Sequence, residues 1–224
     1  MKPSEKTRVK ICCIASTDEV WMAVRHGASA LGFVSAMPSG PGVVPEDTLQ
    51  RIASAVPPGV ATFLLTSKQD ATGIIAQQRK LRLNTVQIVD RLMMGTHRDL
   101  RRALPGVAIV QVIHVKGERS VAEAAELAPD VDAILLDSGD QDLAVKELGG
   151  TGRTHDWSVS RRIRELLDIP VWLAGGLNAG NVAEAIAQVA PFGVDVCSGV
   201  RTDGALDEQK LAAFMQSIER PRHP

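Results

Sequence analysis

The chain has 224 residues, of which 45% are hydrophobic and 23% are charged, the composition of a globular protein with a sizeable core. It carries 25 basic and 26 acidic residues for a net charge of −1, so no overall field favours nucleic acid or an anionic membrane as a partner. Aromatic residues make up only 3%, with no Tyr, which argues against stacking platforms for single-stranded nucleic acid.

Short β-rich runs alternate with segments of helical periodicity along the whole chain. Strands are predicted at 8–14, 30–34, 60–65, 84–88, 107–114, 132–137, 170–173 and 194–196. Helices are predicted at 17–27, 45–55, 69–81, 96–103, 118–127, 157–167, 179–190 and 207–217. Alternating strands and helices predict parallel strands joined by right-handed crossovers.

Eight such units predict an α/β fold of the (β/α)₈ (TIM) barrel type. We expect a single domain over 1–224, with tails at 1–7 and 219–224. The alternative is a doubly wound open sheet. That fold normally has a glycine-rich fingerprint after its first strand, where this chain has Ile11-Cys-Cys-Ile14.

The seventh and eighth strands both end in small residues. Gly175 and Gly176 follow the seventh strand, and Ser198 and Gly199 follow the eighth. Glycines allow backbone N–H groups to approach a ligand, and two such strand ends side by side form an anion cradle, most often for phosphate. The alternative is that these are ordinary turn glycines.

A long loop from Ser138 to His155 follows the sixth strand, on the face where barrel active sites form. Long glycine-bearing loops in compact domains are often functional lids. Three glycines are candidate hinges, and Thr151 and Arg153 are candidate anion contacts. These glycines are Gly149, Gly150 and Gly152. The alternative is a solvated loop without a function.

The alternation of side chains along strands places a thiol and a carboxyl inside the barrel. Lys10 cannot comfortably face the apolar helix layer, so Lys10 and Cys12 should both point inward. Asp137 ends the sixth strand, where a carboxylate is costly unless it is paired or used. Together they form a candidate base and acid, provided that neighbouring cations lower the pKa of the thiol. The alternatives are a small buried hydrophobe for Cys12 and a loop cap for Asp137.

The remaining polar strand residues are weaker signals. His114 is a candidate substrate contact or a hydrogen-bonded structural histidine, and Gln111 must face the opposite side of the same strand.

Cys13 should face the helix layer, and both Cys13 and Cys197 are interpreted as packing residues. Three cysteines in this arrangement indicate a reducing cytoplasm rather than a disulfide framework. No stretch reaches the ~18 apolar residues of a membrane helix, and no cluster has the spacing of zinc ligands.

Several motifs, in the same order over nearly the whole chain, resemble phosphoribosylanthranilate isomerase. These are Val9-Lys-Ile-Cys12, Gly32-Phe-Val34, Leu135-Leu-Asp137, Gly149-Gly-Thr-Gly152 with Asp156-Trp157, Ala174-Gly-Gly-Leu-Asn178 and Val194-Asp-Val196 with Ser198-Gly-Val200. The resemblance implies a (β/α)₈ barrel that performs an Amadori rearrangement of a small phosphorylated aminosugar in tryptophan biosynthesis, without a metal or an organic cofactor.

The same resemblance implies the roles of individual residues. Cys12 corresponds to the family's general base and Asp137 to its general acid. The phosphate cradle corresponds to the backbone around Gly175-Gly176 and Ser198-Gly199. The resemblance makes no prediction of the oligomeric state.

This chain departs from the family pattern on one side of the expected pocket. An arginine associated with the anthranilate end of the substrate is replaced by Pro41, a strand-four histidine by Val89, and a glycine after the cysteine by Cys13. These changes suggest a different aglycone, with new contacts from Asp90, His114, Arg153 or His155. The alternative functions are an isomerase of another phosphorylated aminosugar, a lyase or epimerase on the same frame, or a non-catalytic phosphosugar-binding barrel.

Overall fold

The computed structural model describes residues 6–150 and 152–219 and contains a closed barrel of eight parallel strands in sequence order. The barrel strands are β1 Arg8–Ile11, β2 Ala30–Val34, β3 Ala61–Thr66, β4 Thr85–Ile88, β5 Ala108–His114, β6 Ala133–Asp137, β7 Val171–Leu173 and β8 Gly193–Val196. The helices are α1 Thr17–Arg25, α2 Glu46–Ala53, α3 Ala71–Leu81, α4 His97–Ala103, α5 Glu118–Leu127, α6 Trp157–Leu166, α7 Val182–Val189 and α8 Glu208–Glu219. The predicted (β/α)₈ fold is confirmed.

Two apolar clusters reflect the alternation of side chains along the strands. The larger cluster lies between the strands and the helices, and includes Ile11, Leu136 and Val194. The smaller cluster fills the barrel interior, and includes Leu135 and Trp172. Because the strands are covered on both faces, their sequences are nearly continuous apolar runs rather than alternating ones.

The barrel closes where β1 pairs with β8, with Ile11 beside Val196. β1 therefore ends at Ile11, three residues before the predicted end at 14. Cys13 explains this early end, since its φ of +64° lies in the left-handed region, which a strand cannot continue through.

Other differences from the prediction are small. A hairpin of β9 (Arg201–Thr202) and β10 (Ala205–Leu206) follows β8. Glu219, placed in the predicted tail, ends α8, and residues 1–5 and 220–224 of the predicted tails lie outside the described residues. No helix in the described ranges has the length and apolar character needed to span a bilayer.

The long connection between β6 and α6 lies over the carboxyl ends of the strands. Within it, Asp140 and Glu147 form an isolated antiparallel bridge, in which each backbone N–H donates to the other residue's carbonyl oxygen. The connection ends at Asp156, whose carboxylate accepts a hydrogen bond of 2.9 Å from the backbone N–H of Ser158 and caps α6. This path brings the glycine-rich part of the loop over the barrel mouth.

Candidate active site

An open cavity lies at the carboxyl end of the barrel, the end at which (β/α)₈ enzymes carry their active sites. Its walls come from the exits of β1, β2, β3, β4, β6, β7 and β8 and from the β6–α6 loop. The predicted residues that line it are Cys12, Asp137, Gly149, Gly150, Gly152, Gly175, Gly176 and Ser198. The predicted base and acid therefore share one cavity with Gly175, Gly176 and Ser198 of the predicted cradle, whereas Gly199 directly follows Ser198 in the chain and is not part of the lining.

A buried lysine underlies the Cys12 thiol. The ammonium of Lys10 is fully buried and lies 2.8 Å from a carboxylate oxygen of Asp195 and 3.7 Å from the Cys12 sulfur. Burial lowers the pKa of Lys10, but the charge of Asp195, with help from Cys12, outweighs burial and the net pKa is raised. Lys10 therefore carries a positive charge beside the thiol.

Burial dominates the acidity of Cys12 itself. It raises the pKa of the thiol to about 11, while Lys10 pulls in the opposite direction. With the charges that the described residues place around it, Cys12 is a neutral thiol. A further positive charge in the cavity would favour the thiolate, because opposite charges stabilise each other strongly at low dielectric.

Asp137 stands at the carboxyl end of β6, and its pKa is raised above that of an ordinary aspartate. Burial raises its pKa, although the neighbouring His114 and the backbone N–H of Ser138, 2.7 Å away, act to lower it. A Cβ on Gly149 would lie 3.0 Å from the second carboxyl oxygen, so the loop covers this group closely. A buried carboxyl of raised pKa at the cavity wall is suited to donate a proton.

The exits of β7 and β8 form a cradle of backbone groups. Gly175 and Gly176 have φ values of +83° and +62°, and a Cβ on Gly176 would lie 2.5 Å from the backbone of Arg153. A Cβ on Gly199 would overlap the carbonyl oxygen of Leu177, so the two strand exits pack directly against each other. Among the described residues, no hydrogen bond engages the backbone N–H of Gly176, Ser198 or Gly199. Grouped, unpaired N–H donors of this kind bind phosphate.

The opposite wall of the cavity is apolar. It is formed by Met37, Pro41, Leu65, Val89 and Leu148, and none of the described residues that line the cavity is Lys or Arg. A planar hydrophobic group fits this wall better than a charged one.

The cavity wall also carries two buried oxygens without partners. The side-chain oxygen Oε1 of Gln87 and Oδ1 of Asp195 make no hydrogen bond within the described part of the chain, and both residues line the cavity. Buried acceptors usually find a donor, so these two oxygens are suited to the hydroxyl groups of a ligand.

The structure places two other predicted contacts beside the cavity rather than in its lining. His114 shares the inward face with Asp137 and its Nε2 lies 3.0 Å from the carbonyl oxygen of Val89. The Arg153 side chain is exposed and forms an ion pair with Glu147. Thr151 lies outside the described residues. His114 is thus a neighbour of Asp137, and the Arg153 side chain pairs within the loop.

Two interpretations of the cysteines were wrong: that Cys13 and Cys197 are separate packing residues, and that the arrangement of the three cysteines argues against a disulfide. Cys13 and Cys197 form a disulfide, and both line the cavity. The left-handed backbone at Cys13 breaks the strand alternation on which the prediction relied, and turns the side chain toward β8 instead of the helix layer.

No role was predicted from the sequence for Asp195 or for Gln87. The signal for Asp195 was its position in the middle of a buried strand beside the strand of Lys10, since two buried opposite charges on adjacent strands are expected to pair. The signal for Gln87 was its inward face, which it shares with Val89.

The comparisons with known proteins agree with this geometry. Residues 9–217 match the family described as N-(5'-phosphoribosyl)anthranilate (PRA) isomerase. The chain is 35% identical to the N-(5'-phosphoribosyl)anthranilate isomerase of Methanosarcina acetivorans, covering 95% of this chain and 93% of the relative. It is 34% identical to the Haloferax volcanii enzyme of the same name, covering 96% and 95%.

Solved structures give the same result. The phosphoribosyl anthranilate isomerase of Thermotoga maritima is similar with a TM-score of 0.80 and 29% identity, over 95% of this chain and 98% of that one. A phosphoribosyl anthranilate isomerase in complex with reduced 1-(o-carboxyphenylamino)-1-deoxyribulose 5-phosphate is similar with a TM-score of 0.77 and 28% identity, with the same coverage.

Proposed function

The chain belongs to the N-(5'-phosphoribosyl)anthranilate isomerase family, and we propose that it converts N-(5'-phosphoribosyl)anthranilate to the 1-deoxyribulose phosphate product, a step of tryptophan biosynthesis. One observation about this chain's own residues supports the proposal most strongly. A buried carboxyl of raised pKa and a thiol beside a buried ammonium line the same cavity as the β7 and β8 exit turns.

Binding is assigned to the cradle and the cavity wall. The backbone N–H groups at Gly176, Ser198 and Gly199 hold the phosphate, and Gln87 and Asp195 accept hydrogen bonds from the sugar hydroxyls. The aromatic ring lies on the apolar wall. Binding energy from the remote phosphate then orients the reacting carbons between thiol and carboxyl.

Asp137 starts the reaction as the general acid. It donates its proton to the ring oxygen, the bond from that oxygen to C1 breaks, and the nitrogen lone pair forms a C1–N iminium cation. The raised pKa of Asp137 supports this role, because the carboxyl holds its proton at a higher pH than an exposed aspartate does.

Cys12 completes the rearrangement as the general base. The iminium cation and Lys10 both favour the thiolate, so the Cys12 thiol passes its proton to the Asp137 carboxylate, which the first step left without one. The thiolate then removes the proton from C2 and leaves an enamine with a hydroxyl on C2. That species tautomerises to the ketone as the Cys12 thiol gives its proton to C1 and takes up the proton of the C2 hydroxyl. Both residues end in their starting protonation states, so the protein supplies only proton transfers.

The substrate class also bears on location. A phosphorylated sugar carries charges that do not cross membranes, so the enzyme works where its substrate is made, and we place it in the cytoplasm.

The test follows the loss of substrate fluorescence as phosphoribosylanthranilate is consumed. The wild type is expected to turn over the substrate, and Cys12→Ser and Asp137→Asn to lose most of the activity. Gly180→Ala is the control, because this exposed glycine follows the β7 exit and does not line the cavity. No activity in the wild type contradicts the function, and full activity in both variants contradicts the roles.

A second candidate function is favoured by the absence of Lys and Arg from the described cavity lining. An isomerase for a phosphorylated aminosugar with an uncharged aryl group would need no cation at the apolar wall. Comparison of N-(5-phosphoribosyl)anthranilate with N-(5-phosphoribosyl)aniline separates the two. A higher kcat/KM for the aniline compound favours the second candidate, and a higher value for the anthranilate favours the first.

A further inference from the structure

The disulfide between Cys13 and Cys197 joins two strand exits that serve different parts of the reaction. Cys13 directly follows Cys12, the proposed base. Cys197 directly precedes Ser198 and Gly199, whose backbone is assigned to the phosphate. The two residues are 184 positions apart in the chain, and the bond spans the seam at which β1 and β8 close the barrel.

We infer that this disulfide is a redox-sensitive positioning link that sets the affinity of the site for its phosphorylated substrate. The inference rests on the proposed function for the identity of that substrate. In the oxidised protein the link holds the phosphate turn at a fixed distance from the base. In the reduced protein the turn moves independently of β1 and binds phosphate less tightly, because its N–H groups must be ordered on binding.

The backbone at Cys13 supports this assignment. Its φ of +64° is a conformation that a side chain with a Cβ disfavours, and a Cβ on Gly42 of the neighbouring loop would overlap the Cβ of Cys13. The segment is thus held in an unusual shape by what surrounds it. Loss of the link removes one of those constraints.

A second set of contacts holds the Cys12–Cys13 segment after the disulfide is reduced, so the barrel fold is expected to persist. The Arg201 guanidinium donates to the carbonyl oxygens of Cys12 and Cys13, at 3.2 and 2.6 Å, and pairs with Glu19 at 3.0 Å. The freed Cys13 thiol also has an acceptor, since its sulfur lies 3.7 Å from the carbonyl oxygen of Pro41. Reduction therefore acts on the phosphate turn more than on the fold.

The link is reachable from the cavity. Cys197 is partly exposed and lines the cavity, whereas Cys13 is buried. In the reduction by a dithiol, one reductant thiolate attacks the Cys197 sulfur, the Cys13–Cys197 bond breaks, and Cys13 leaves and takes up a proton. The second reductant thiol then displaces Cys197, which also takes up a proton. Two electrons and two protons pass from the dithiol, which becomes a disulfide.

The test compares the wild type oxidised with diamide and reduced with dithiothreitol, each freed of reagent. A thiol count on the denatured protein should give one free thiol when oxidised and three when reduced, because the chain has three cysteines and Cys12 is free. We expect reduction to raise KM by about three- to ten-fold with little change in kcat.

Cys197→Ser and Cys13→Gly are the matched variants, and Cys13→Gly removes the link where glycine accepts the backbone conformation without cost. Both are expected to show the KM of the reduced wild type under both treatments. An effect of diamide that persists in both variants belongs to Cys12 and overturns the inference. An equal KM in the two wild-type forms, or three free thiols after oxidation, also overturns it.

Calorimetric binding of ribose 5-phosphate separates this inference from the proposed function. If the protein has no activity on phosphoribosylanthranilate but binds ribose 5-phosphate more tightly when oxidised, the proposed reaction fails and the redox link stands. If the reaction proceeds and the affinity does not depend on the redox state, the link fails and the proposed function stands.

Discussion

The two sides of the cavity differ in the groups that they present, which are side chains on one side and backbone N–H groups on the other. On the side of β1 and β6 lie buried ionisable side chains, with Lys10 beside Cys12 and a raised pKa on Asp137. On the side of β7 and β8 we propose that backbone N–H groups bind the substrate, in turns where a Cβ on a glycine would meet neighbouring atoms. We therefore expect substitutions on the β1–β6 side to alter kcat and substitutions on the β7–β8 side to alter KM.

The largest effect is expected on the β1–β6 side, from Asp137→Asn. The amide has nearly the shape of the carboxyl but no proton to give to the ring oxygen, so kcat should fall about 10³- to 10⁴-fold with little change in KM. Steady-state fluorescence kinetics measures this. A rise in KM with an unchanged kcat would mean that Asp137 binds substrate and does not act as the acid.

Cys12→Ser should have the next largest effect. A hydroxyl has a much higher pKa than a thiol, so even beside Lys10 it is a poor base, and kcat should fall about 10²- to 10³-fold. Substrate deuterated at C2 sharpens the test, since the slow proton removal should enlarge the isotope effect on kcat. An unchanged kcat would remove Cys12 from the mechanism.

Gly199→Ala addresses the β7–β8 side. The added Cβ would overlap the carbonyl oxygen of Leu177 and displace the turn, so KM should rise about ten- to hundred-fold through weakened hydrogen bonds to the phosphate. Gly180→Ala, in the exposed part of the same region, is the control. A fall in kcat at unchanged KM would break the division between the two sides.

His155 lies on neither side of the cavity, so its substitution is expected to change catalysis least. The expected effect is on stability. Burial lowers the pKa of His155 to about 4, and its Nε2 lies 2.7 Å from the hydroxyl of Ser160. Because the folded pKa is depressed, the unfolded chain binds the proton first, so stability is lost as the pH falls from 6.5 through 4, by up to about 3 kcal/mol. Urea unfolding of the wild type and His155→Gln at pH 7 and pH 4.5 checks this, and the variant should lose less stability. An equal loss in both proteins would assign the acid sensitivity to other groups.

Most of the fold was predictable because parallel strands buried on both faces leave a clear signal. The β2 limits at 30 and 34 match the prediction, and other strand limits differ by a residue or two. The β1 limit differs most. Its apolar run continues to Ile14, but the pattern of hydrophobic residues does not reveal a left-handed residue such as Cys13.

The candidate site was predictable where it depends on strand parity and glycine, and less so elsewhere. Parity placed Cys12 and Asp137 at the cavity, and the glycine clusters indicated the cradle. The disulfide was missed because it depends on a local break in that parity. The ion pair of Arg153 with Glu147 was missed because loop side chains have no periodic pattern to read.

The most direct test of the central claim is a crystal structure of this protein with reduced 1-(o-carboxyphenylamino)-1-deoxyribulose 5-phosphate, the compound bound in the related structure. We expect the phosphate on the backbone N–H groups of Gly176, Ser198 and Gly199. The Cys12 sulfur should lie about 3–3.5 Å from C2, with the Asp137 carboxyl on the other side of the same chain of carbons. A phosphate bound away from the β7 and β8 exits, or a sulfur turned away from the sugar, would contradict the account.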